Sequence, residues 1–375
     1  MNIVVLGGGY AGLTAAARLA EAGLAPILID AKDEFVERIR LHEAAAGSTP
    51  RSLPYAPFLA ARGGKFRRAR VAALDADRRT LRLSDGDLVT YDVLVYAVGS
   101  ATMRPPHSIG LDSLADARAA LPAGGGKLLI VGGGLTGIEA SAEFAERRPD
   151  IAVTLAAGGG MRASNAPGGI SRGGIAHVRE VLERLRVTIL DGAWIEGVAP
   201  GRATLRDGRN VAFDACVWAA GFAPSALARA AGLAVTASGK AIADRMLRSV
   251  SHPDIVAIGD CAEAIADPGG PCRMSCAVGR PMGQAAADAV RALAGGAAPA
   301  PFAFGYAFRC MSLGRTDGLI QFVDAQDRPT SDIWTGARAA RWKEYICRRT
   351  LNGIGLDPDL GPAPDVPPRQ RVAAG

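Results

Sequence analysis

Two glycine-rich segments of the chain have the spacing of a loop that holds a phosphate group. They read Gly7-Gly8-Gly9-Tyr10-Ala11-Gly12 and Gly132-Gly133-Gly134-Leu135-Thr136-Gly137. In this pattern the first glycine permits a sharp turn, the second lets the backbone approach a phosphate, and the third lets a helix pack closely on a strand. A helix that begins in the loop directs unpaired N–H groups and the positive end of its dipole at the anion. The pair of segments predicts two dinucleotide sites, with an electron passed between the two ligands.

Each glycine segment lies between a run typical of a buried strand and a run typical of a helix. Residues 3–6 and 128–131 are β-branched or leucine, and Ala/Leu-rich stretches follow the glycines. A second strand is predicted at 25–29, just before Asp30, and its counterpart in the second copy at 151–155. The repeat predicts two βαβ units that present both loops at the carboxyl end of a parallel sheet.

The rest of the chain is predicted to complete these two units. The predicted elements are a hairpin at 70–75 and 80–83, a buried strand at 91–99, a linker at 122–126, a helix at 172–186, strands near 187–198 and 203–213, a closing strand at 215–221, a returning strand at 255–260, a helix at about 281–294, a strand at 319–323 and a basic helix at 335–352. The closing strand mirrors the strand at 91–99, so the middle of the chain is interpreted as an inserted copy of the first unit.

This organisation predicts an α/β fold with two nested Rossmann-like dinucleotide-binding domains and a small C-terminal α+β domain. The predicted boundaries are 1–122 and 241–300 for the two parts of the first domain, 123–240 for the inserted domain, 301–356 for the C-terminal domain and 357–375 for a disordered, Pro-rich tail.

Composition and charge exclude several functional classes. Of 375 residues, 49% are hydrophobic and 21% charged, which is typical of a globular protein with full cores. The net charge is +6, but the arginines are scattered without interleaved aromatic residues, which argues against nucleic-acid binding. No signal peptide and no membrane-length apolar run are evident, so we predict a cytoplasmic protein. The six cysteines form no CxxC pair, and we predict buried free thiols and no metal site.

The motifs and their order resemble those of flavoproteins with two dinucleotide-binding domains, the pyridine nucleotide-disulfide oxidoreductase superfamily. The resemblance covers roughly residues 1–300 and is greatest to the type II NADH dehydrogenase-like and apoptosis-inducing-factor-like branch. It implies FAD at the first loop, NAD(P)H at the second, hydride transfer from nicotinamide to flavin and electron delivery to a further acceptor.

The resemblance also implies which residues contact the cofactors. Asp30 would accept hydrogen bonds from the ribose of FAD, Val71 would pair with adenine through its backbone, and Asp260 would bind the ribityl chain. A helix beginning near Pro281 would direct its N-terminus at the pyrimidine end of the flavin. The full predicted set is Gly7, Gly9, Tyr10, Ala11, Gly12, Asp30, Ala31, Arg40, Val71, Ala97, Gly99, Gly132, Gly134, Leu135, Thr136, Gly137, Arg162, Gly221, Gly259, Asp260 and Ala277.

Glu139 is the predicted catalytic residue. It occupies the acidic position of the GGGxTGxE pattern of type II NADH dehydrogenases, where it would order the stack of nicotinamide on flavin. The alternative is a surface glutamate that the helix dipole favours in the first turns of the helix.

The second unit has no acidic residue where NAD-selective units place one. Its second strand ends in Leu155-Ala156-Ala157-Gly158, and Arg162 follows shortly after. Nothing there repels a 2′-phosphate, so NADPH is as plausible a donor as NADH. The alternative is that Arg162 is only a solvated loop residue.

The acceptor stays open between a quinone and a small metabolite. The CxxxxC pair of disulfide reductases is absent, and Ala277 stands where quinone-reducing relatives carry glutamine. Two further hypotheses are a flavin-dependent monooxygenase or oxidase acting on a small metabolite, and a non-enzymatic flavin/NAD redox sensor.

The basic C-terminal helix allows one more hypothesis. Arg338, Arg341 and Lys343 lie beside Trp342 and Tyr345, so the helix is either a peripheral membrane contact or a snorkelling cover of the core. The oligomeric state is open, with a homodimer as the alternative to a monomer. His42 is interpreted as a packing histidine, with proton donation near flavin as the alternative.

Overall fold

The computed structural model describes residues 1–111 and 124–364. The helices in these residues are α1 (Tyr10–Glu21), α2 (Leu41–Ala45), α3 (Tyr55–Ala60), α4 (Leu135–Arg147), α5 (Arg172–Arg184), α6 (Leu227–Ala230), α7 (Cys276–Ala294) and α8 (Gly336–Asn352). The strands are β1 (Ile3–Leu6), β2 (Ile27–Asp30), β3 (Lys65–Arg68), β4 (Val71–Asp75), β5 (Thr80–Leu83), β6 (Leu88–Thr90), β7 (Val93–Tyr96), β8 (Ser100–Thr102), β9 (Ile109–Gly110), β10 (Gly126–Val131), β11 (Ile151–Ala157), β12 (Thr188–Asp191), β13 (Ile195–Ala199), β14 (Arg202–Leu205), β15 (Asn210–Ala212), β16 (Ala215–Trp218), β17 (Phe222–Pro224), β18 (Ala241–Ile242), β19 (Ile255–Ala257), β20 (Ala262–Glu263), β21 (Ile265–Pro268), β22 (Gly270–Pro271), β23 (Ala303–Phe304), β24 (Phe308–Ser312), β25 (Gly318–Val323) and β26 (Pro329–Thr335).

The first glycine loop follows the central strand of a parallel sheet. The strand order is β19-β7-β1-β2-β3, and Val5 of β1 lies opposite Leu28 of β2 and Val95 of β7. Strands β1 and β7 are buried along their whole length, as expected for parallel strands covered on both faces. β19 pairs with β7, which confirms the returning strand.

The second glycine loop follows the central strand of a matching sheet. Its order is β12-β11-β10-β16-β9, and β10 is parallel to both β11 and β16. The helix α4 opens directly after β10, as α1 does after β1. The predicted α/β fold class with two Rossmann-like units is confirmed.

The segment predicted as two strands near 187–198 and 203–213 is divided further. β12 joins the parallel sheet, whereas β13, β14 and β15 form a separate antiparallel sheet. The runs are interrupted at Gly192 and Gly208, whose φ angles of 69° and 86° are those of turn residues. The division puts the β12–β13 loop beside the end of β11.

The helix predicted at about 281–294 begins earlier, at Cys276, and the prediction of its start was wrong. Pro281 lies inside α7. Proline removes only one helical hydrogen bond there, whereas the buried face of α7, including Val278, Met282 and Ala286, favours continuing the helix through it. The N-terminus of this helix is therefore at Cys276 and not near Pro281.

Packing of α7 on α1 ties the first loop to a distant part of the chain. A Cβ added to Gly283 would lie 2.3 Å from the carbonyl oxygen of Ala11, so the two helices touch through backbone. The predicted linker lies partly outside the described residues, and Gly126 already belongs to β10. Most of the predicted disordered tail, 365–375, also lies outside them.

The C-terminal part is a sheet of β24, β25 and β26 with α8 packed against it. The buried face of α8 includes Ala339, Lys343, Cys347 and Leu351. None of the helices in the described ranges has both the length and the apolar character required to cross a bilayer.

Candidate active site

The first glycine loop is an open cradle with a rigid base. Gly7 has a φ of 101°, and a Cβ there would lie 2.4 Å from the carbonyl oxygen of Ala97. A Cβ on Gly12 would lie 1.9 Å from the carbonyl oxygen of Gly7. Gly9 begins α1 without a side-chain cap, and a Cβ on it would meet nothing within 4 Å. The free space and the uncapped N–H groups fit a pyrophosphate.

Two side chains hold this loop in place. The carboxylate of Asp30 accepts hydrogen bonds from the backbone N–H of Gly8 at 2.7 Å and of Lys32 at 2.8 Å. The hydroxyl of Tyr55 donates to the carbonyl of Gly8 at 2.8 Å. Asp30 stands at the end of β2, where Rossmann units place the acid that binds ribose.

The second glycine loop repeats the same backbone geometry. Gly132 has a φ of 130°, and a Cβ on Gly137 would lie 1.8 Å from the carbonyl oxygen of Gly132. Gly134 begins α4 without a side-chain cap and has open space beside it. Leu135 and Thr136 form the first turn of α4. This loop also fits a pyrophosphate.

The end of β11 differs from the end of β2. Gly158 follows Ala157, and a Cβ on Gly158 would lie 2.8 Å from the indole ring of Trp194. No carboxylate follows the strand directly. Arg162 is exposed in the next loop.

The N-terminus of α7 is a third polar feature of the first unit. Ser275 precedes the helix but caps none of its N–H groups, and its buried hydroxyl has no hydrogen-bond partner within the described parts of the chain. A Cβ on Gly279 of this helix would lie 3.9 Å from the backbone nitrogen of Ala11, so α7 begins close to the first loop. An orphaned hydroxyl and uncapped N–H groups fit a carbonyl-rich or anionic ring edge such as that of flavin.

Asp260 lies at the carboxyl end of β19, in a short 3-10 turn. Its carboxylate accepts a hydrogen bond from the hydroxyl of Ser100 at 2.7 Å. Gly259 has a φ of 73°, which permits the turn. A Cβ on Gly259 would lie 3.3 Å from the Cβ of Ala11, so this turn lies beside the first loop, and its groups together with Asp30 fit FAD.

Glu139 is buried, so the surface alternative is wrong. Its carboxylate accepts hydrogen bonds from the backbone N–H of Ser312 at 3.0 Å and from the Ser312 hydroxyl at 3.2 Å, and it pairs with the ammonium of Lys343 at 3.0 Å. The ring nitrogen Nε2 of His42 lies 3.2 Å from the same hydroxyl. This cluster, which we call the Glu139 cluster, joins α4 to β24, α8 and α2.

Burial and charge set the protonation of the Glu139 cluster. Burial raises the pKa of Glu139, but Lys343, His42 and the N–H of Ser312 outweigh it, and the pKa lies below its ordinary value. Burial lowers the pKa of His42, which favours the neutral imidazole. Burial also lowers the pKa of Lys343, but nearby thiols and Glu139 hold it well above its ordinary value. The cluster is therefore a charged pair beside a neutral histidine.

A cavity of about 510 Å³, which we call the C-terminal pocket, opens next to the Glu139 cluster. Its walls come from α2, the β24–β25 turn and α8 and comprise Glu43, Ser312, Gly314, Arg315, Thr316, Ala337, Ala340, Arg341, Lys343, Glu344 and Cys347. Ser312 and Lys343 thus contact both the pocket and Glu139.

The structure does not bring every predicted residue to these sites. The guanidinium of Arg40 contacts the carboxylates of Glu37 at 3.2 Å, Glu43 at 3.1 Å and Glu344 at 2.6 Å, so its proposed contact with pyrophosphate competes with three ion pairs. Val71 begins β4 and packs against the core cluster that contains Leu6 and Ile29, and Ala31 follows Asp30. Tyr10 opens α1, Ala97, Gly99 and Gly221 follow β7 and β16, and Ala277 is the second residue of α7.

Comparison with known proteins agrees with this geometry. The family model described as pyridine nucleotide-disulphide oxidoreductase matches residues 1–287. The chain belongs to this family. As a member, it is an FAD-dependent NAD(P)H oxidoreductase, and both expected cofactors are confirmed.

Individual relatives and structures support the assignment. An NADH dehydrogenase-like protein of Mycobacterium tuberculosis is 31% identical over 322 residues, covering 76% of this chain and 78% of the relative. Ferroptosis suppressor protein 1 of Taeniopygia guttata is 26% identical over 285 residues, covering 70% and 74%. The structure of the sulfide:quinone oxidoreductase of Aquifex aeolicus has the same fold, with a TM-score of 0.76 and 18% identity over 96% of this chain and 92% of that one.

Sequence reasoning missed three residues of the site. Ser312 and Lys343 lie far from Glu139 in the chain, and Lys343 was interpreted only as part of a basic helix. Trp194 lies in a turn with no periodic pattern. An isolated lysine within the apolar stripe of α8 is the one signal that pointed to a buried partner.

Proposed function

We propose that this oxidoreductase reduces a small molecule that binds in the C-terminal pocket. The observation that carries the proposal is the shared wall: Ser312 and Lys343 line the pocket and also contact Glu139. Glu139 lies in the first turns of α4, which starts at the second phosphate loop. The pocket, the acid and the donor loop therefore belong to one structural unit.

The two loops divide the binding work. Gly9 and α1 hold the pyrophosphate of FAD, with Asp30 on the ribose, and Gly134 and α4 hold that of NAD(P)H. When bound, FAD accepts a hydride from the nicotinamide and supplies the electrons for the acceptor. Glu139 orients the nicotinamide end, and Lys343 keeps Glu139 ionised at neutral pH.

The pocket indicates the size and polarity of the acceptor. A volume of about 510 Å³ is within the range of small-ligand sites. Arg315 and Lys343 in its wall are already paired with Glu43 and Glu139, which leaves Arg341 as the cationic group without an ion pair among the described lining residues. Ala337 and Ala340 leave room between the charged side chains. A polar ring compound, including the head group of a quinone, meets these requirements. A protein acceptor would need an exposed surface instead.

The test separates the two half-reactions. Ala340→Leu narrows the pocket, and Ala294→Leu at the exposed end of α7 is the matched control. Flavin bleaching by NADPH or NADH in anaerobic stopped flow should be unchanged in both variants. Steady-state kcat/KM for the best acceptor should fall about tenfold in Ala340→Leu alone, as expected when one good contact is lost.

The acceptor panel comprises quinones, dyes, ferredoxin and oxygen. Selective reduction of ferredoxin, or equal kcat/KM in Ala340→Leu and the control, contradicts the proposal. Oxygen uptake coupled to hydroxylation of an organic substrate would indicate a monooxygenase. Slow turnover with every acceptor, together with NADH-dependent dimerisation, would indicate a redox sensor.

Two separate proposals are that α8 contacts a membrane surface and that the protein forms a homodimer. Against the first, Lys343 is buried and Arg348 pairs with Asp357 at 2.9 Å, which leaves fewer free cations on the helix. Co-sedimentation with anionic liposomes at low salt tests it, and failure to co-sediment removes it.

A further inference from the structure

Trp194 is an exposed aromatic side chain at the nucleotide edge of the second sheet. It lies in the turn between β12 and β13, and 52% of its surface is accessible. An exposed indole offers a flat apolar face on which the ring of a ligand can pack. The carboxyl end of a parallel sheet is where such ligands bind.

Gly158 sets the position of the indole. It is the first residue after β11, and its missing side chain leaves room for the ring, because a Cβ would lie 2.8 Å from it. The indole thus occupies the place next to the strand end where an acidic side chain would otherwise reach the ribose.

Two arginine side chains lie near Trp194. The guanidinium of Arg206 lies 5.3 Å from the centre of the indole ring, and Arg162 packs beside Gly160. Within residues 1–111 and 124–364, neither arginine forms an ion pair within 4.0 Å, but against the effect of burial Arg162 helps to hold the pKa of the Asp191 carboxyl below its ordinary value. The nearby carboxylate of Asp191 is already bound to the backbone N–H of Met161 and to Arg179.

We propose that Trp194 is the surface on which the adenine ring of the donor packs, and that Arg162 and Arg206 bind a 2′-phosphate. The donor would then be NADPH in preference to NADH. Aromatic packing suits any adenine ring, whereas guanidinium groups distinguish the phosphorylated ribose. The inference rests on the proposed use of the second loop for NAD(P)H.

The experiment measures binding without turnover. The holoenzyme is titrated by calorimetry with adenosine 2′,5′-bisphosphate and with adenosine 5′-monophosphate, which carry no nicotinamide. We expect the 2′-phosphorylated probe to bind at least about tenfold tighter, since charge-assisted contacts to a phosphate are strong. Arg162→Ala and Arg206→Ala should each reduce the ratio of the two affinities several-fold.

Two further variants complete the test. Arg202 is an exposed arginine in β14, the strand that ends just before Arg206. Arg202→Ala should leave the ratio of the two probe affinities unchanged. Trp194→Leu should weaken the binding of both probes by a similar factor, whereas Trp194→Phe should restore most of the affinity. Bound flavin reports that each variant is folded.

Equal affinity of the two probes in the unsubstituted protein would overturn the inference, as would an unchanged ratio in both arginine variants. Because neither probe transfers electrons, these results do not depend on the acceptor. Failure to reduce any small-molecule acceptor would therefore contradict the proposed function while leaving this inference standing.

Discussion

The two glycine loops have nearly the same backbone and different surroundings. In both, the last glycine is pressed against the carbonyl of the first, at 1.9 Å for a Cβ on Gly12 and 1.8 Å for one on Gly137. Around the first loop, Asp30 and Tyr55 bind the backbone of Gly8. The backbone therefore decides that a phosphate binds, and the neighbouring side chains decide which nucleotide it belongs to and how firmly it is held.

The difference matches the two roles proposed for the loops. A tightly fastened loop suits a flavin that stays bound through many turnovers. The second loop has Gly158 in place of an acid and an exposed Trp194 beside it, which suits a donor that must leave after each reaction. Five substitutions and their controls test this comparison, from the largest expected effect to the smallest.

Gly12→Ala and Gly137→Ala should have the largest and most unequal effects. Either Cβ would collide with a backbone carbonyl that cannot move without opening the loop. We expect Gly12→Ala to be purified without flavin, and Gly137→Ala to retain flavin but to show no bleaching by NADPH. Absorbance spectra and anaerobic stopped flow measure both.

Gly9→Ala and Gly134→Ala are the controls for the collision. A Cβ at either position meets no protein atom within 4 Å. The apo-protein should therefore keep its melting temperature, and only cofactor affinity should fall. Loss of folding in these two variants would contradict the open space beside both glycines.

Glu139→Gln should cost on the order of 3 kcal/mol of the free energy of unfolding, because it leaves the buried ammonium of Lys343 unpaired. Flavin reduction by the donor should also slow. Urea unfolding and stopped flow measure the two effects. The double variant Glu139→Gln with Lys343→Met should recover stability but not the rate.

The ion pair between Glu139 and Lys343 also predicts how the free energy of unfolding changes with pH. The folded pKa of Glu139 lies below its ordinary value of 4.5, so its contribution to stability is complete above that pH and is lost as the pH falls through the folded pKa. The stability difference between the original protein and Glu139→Gln should therefore be constant near neutrality and shrink in acid. A difference that grows in acid would contradict the assigned ion pair.

Asp30→Asn should act on the first site alone. It removes the charge that binds the N–H groups of Gly8 and Lys32, a loss of about 1.5–3 kcal/mol for charge-assisted hydrogen bonds. We expect the FAD dissociation constant to rise at least about tenfold, with the affinity of the second loop for adenosine 2′,5′-bisphosphate unchanged. Equal weakening at both sites would show that the two loops are coupled.

His42→Gln should have the smallest effect, under about 1 kcal/mol at neutral pH. Burial lowers the pKa of His42 from 6.5, so the folded state resists protonation and loses stability as the pH falls below 6.5. The glutamine variant should lack this part of the acid sensitivity. Parallel unfolding curves at pH 7 and pH 5 compare the two proteins.

The sequence was most informative where local spacing determines structure. The two glycine patterns, the apolar runs of β1 and β10 and the acid at the end of β2 are each set by a few neighbouring residues, and the structure places these elements as predicted. Pro281 misled the prediction of α7, because a proline usually marks the start of a helix. Its tolerance depends on buried contacts with α1 that only the fold supplies.

The contacts of Glu139 could not be predicted from the sequence for a different reason. Ser312 is 173 positions away in the chain, and its contact is created by the packing of β24 on α4. No periodicity links the two segments. The position of Trp194 could likewise not be predicted from the sequence, because its contact with Gly158 exists only when the turn after β12 packs beside the end of β11.

The pairing of β19 with β7 has a consequence for synthesis of the chain. The first sheet cannot be completed until residues that follow the whole second unit have been synthesised. The strands β10, β11, β12 and β16 of the second sheet, in contrast, lie within one continuous stretch of the chain. At ribosomal rates the interval from β7 to β19 lasts roughly 10–30 seconds. During this interval the edge of β7 has no partner strand, and an unpaired strand edge favours aggregation or binding by a chaperone. We therefore expect flavin to be loaded late, because α7, which packs on Ala11, is synthesised after most of the chain.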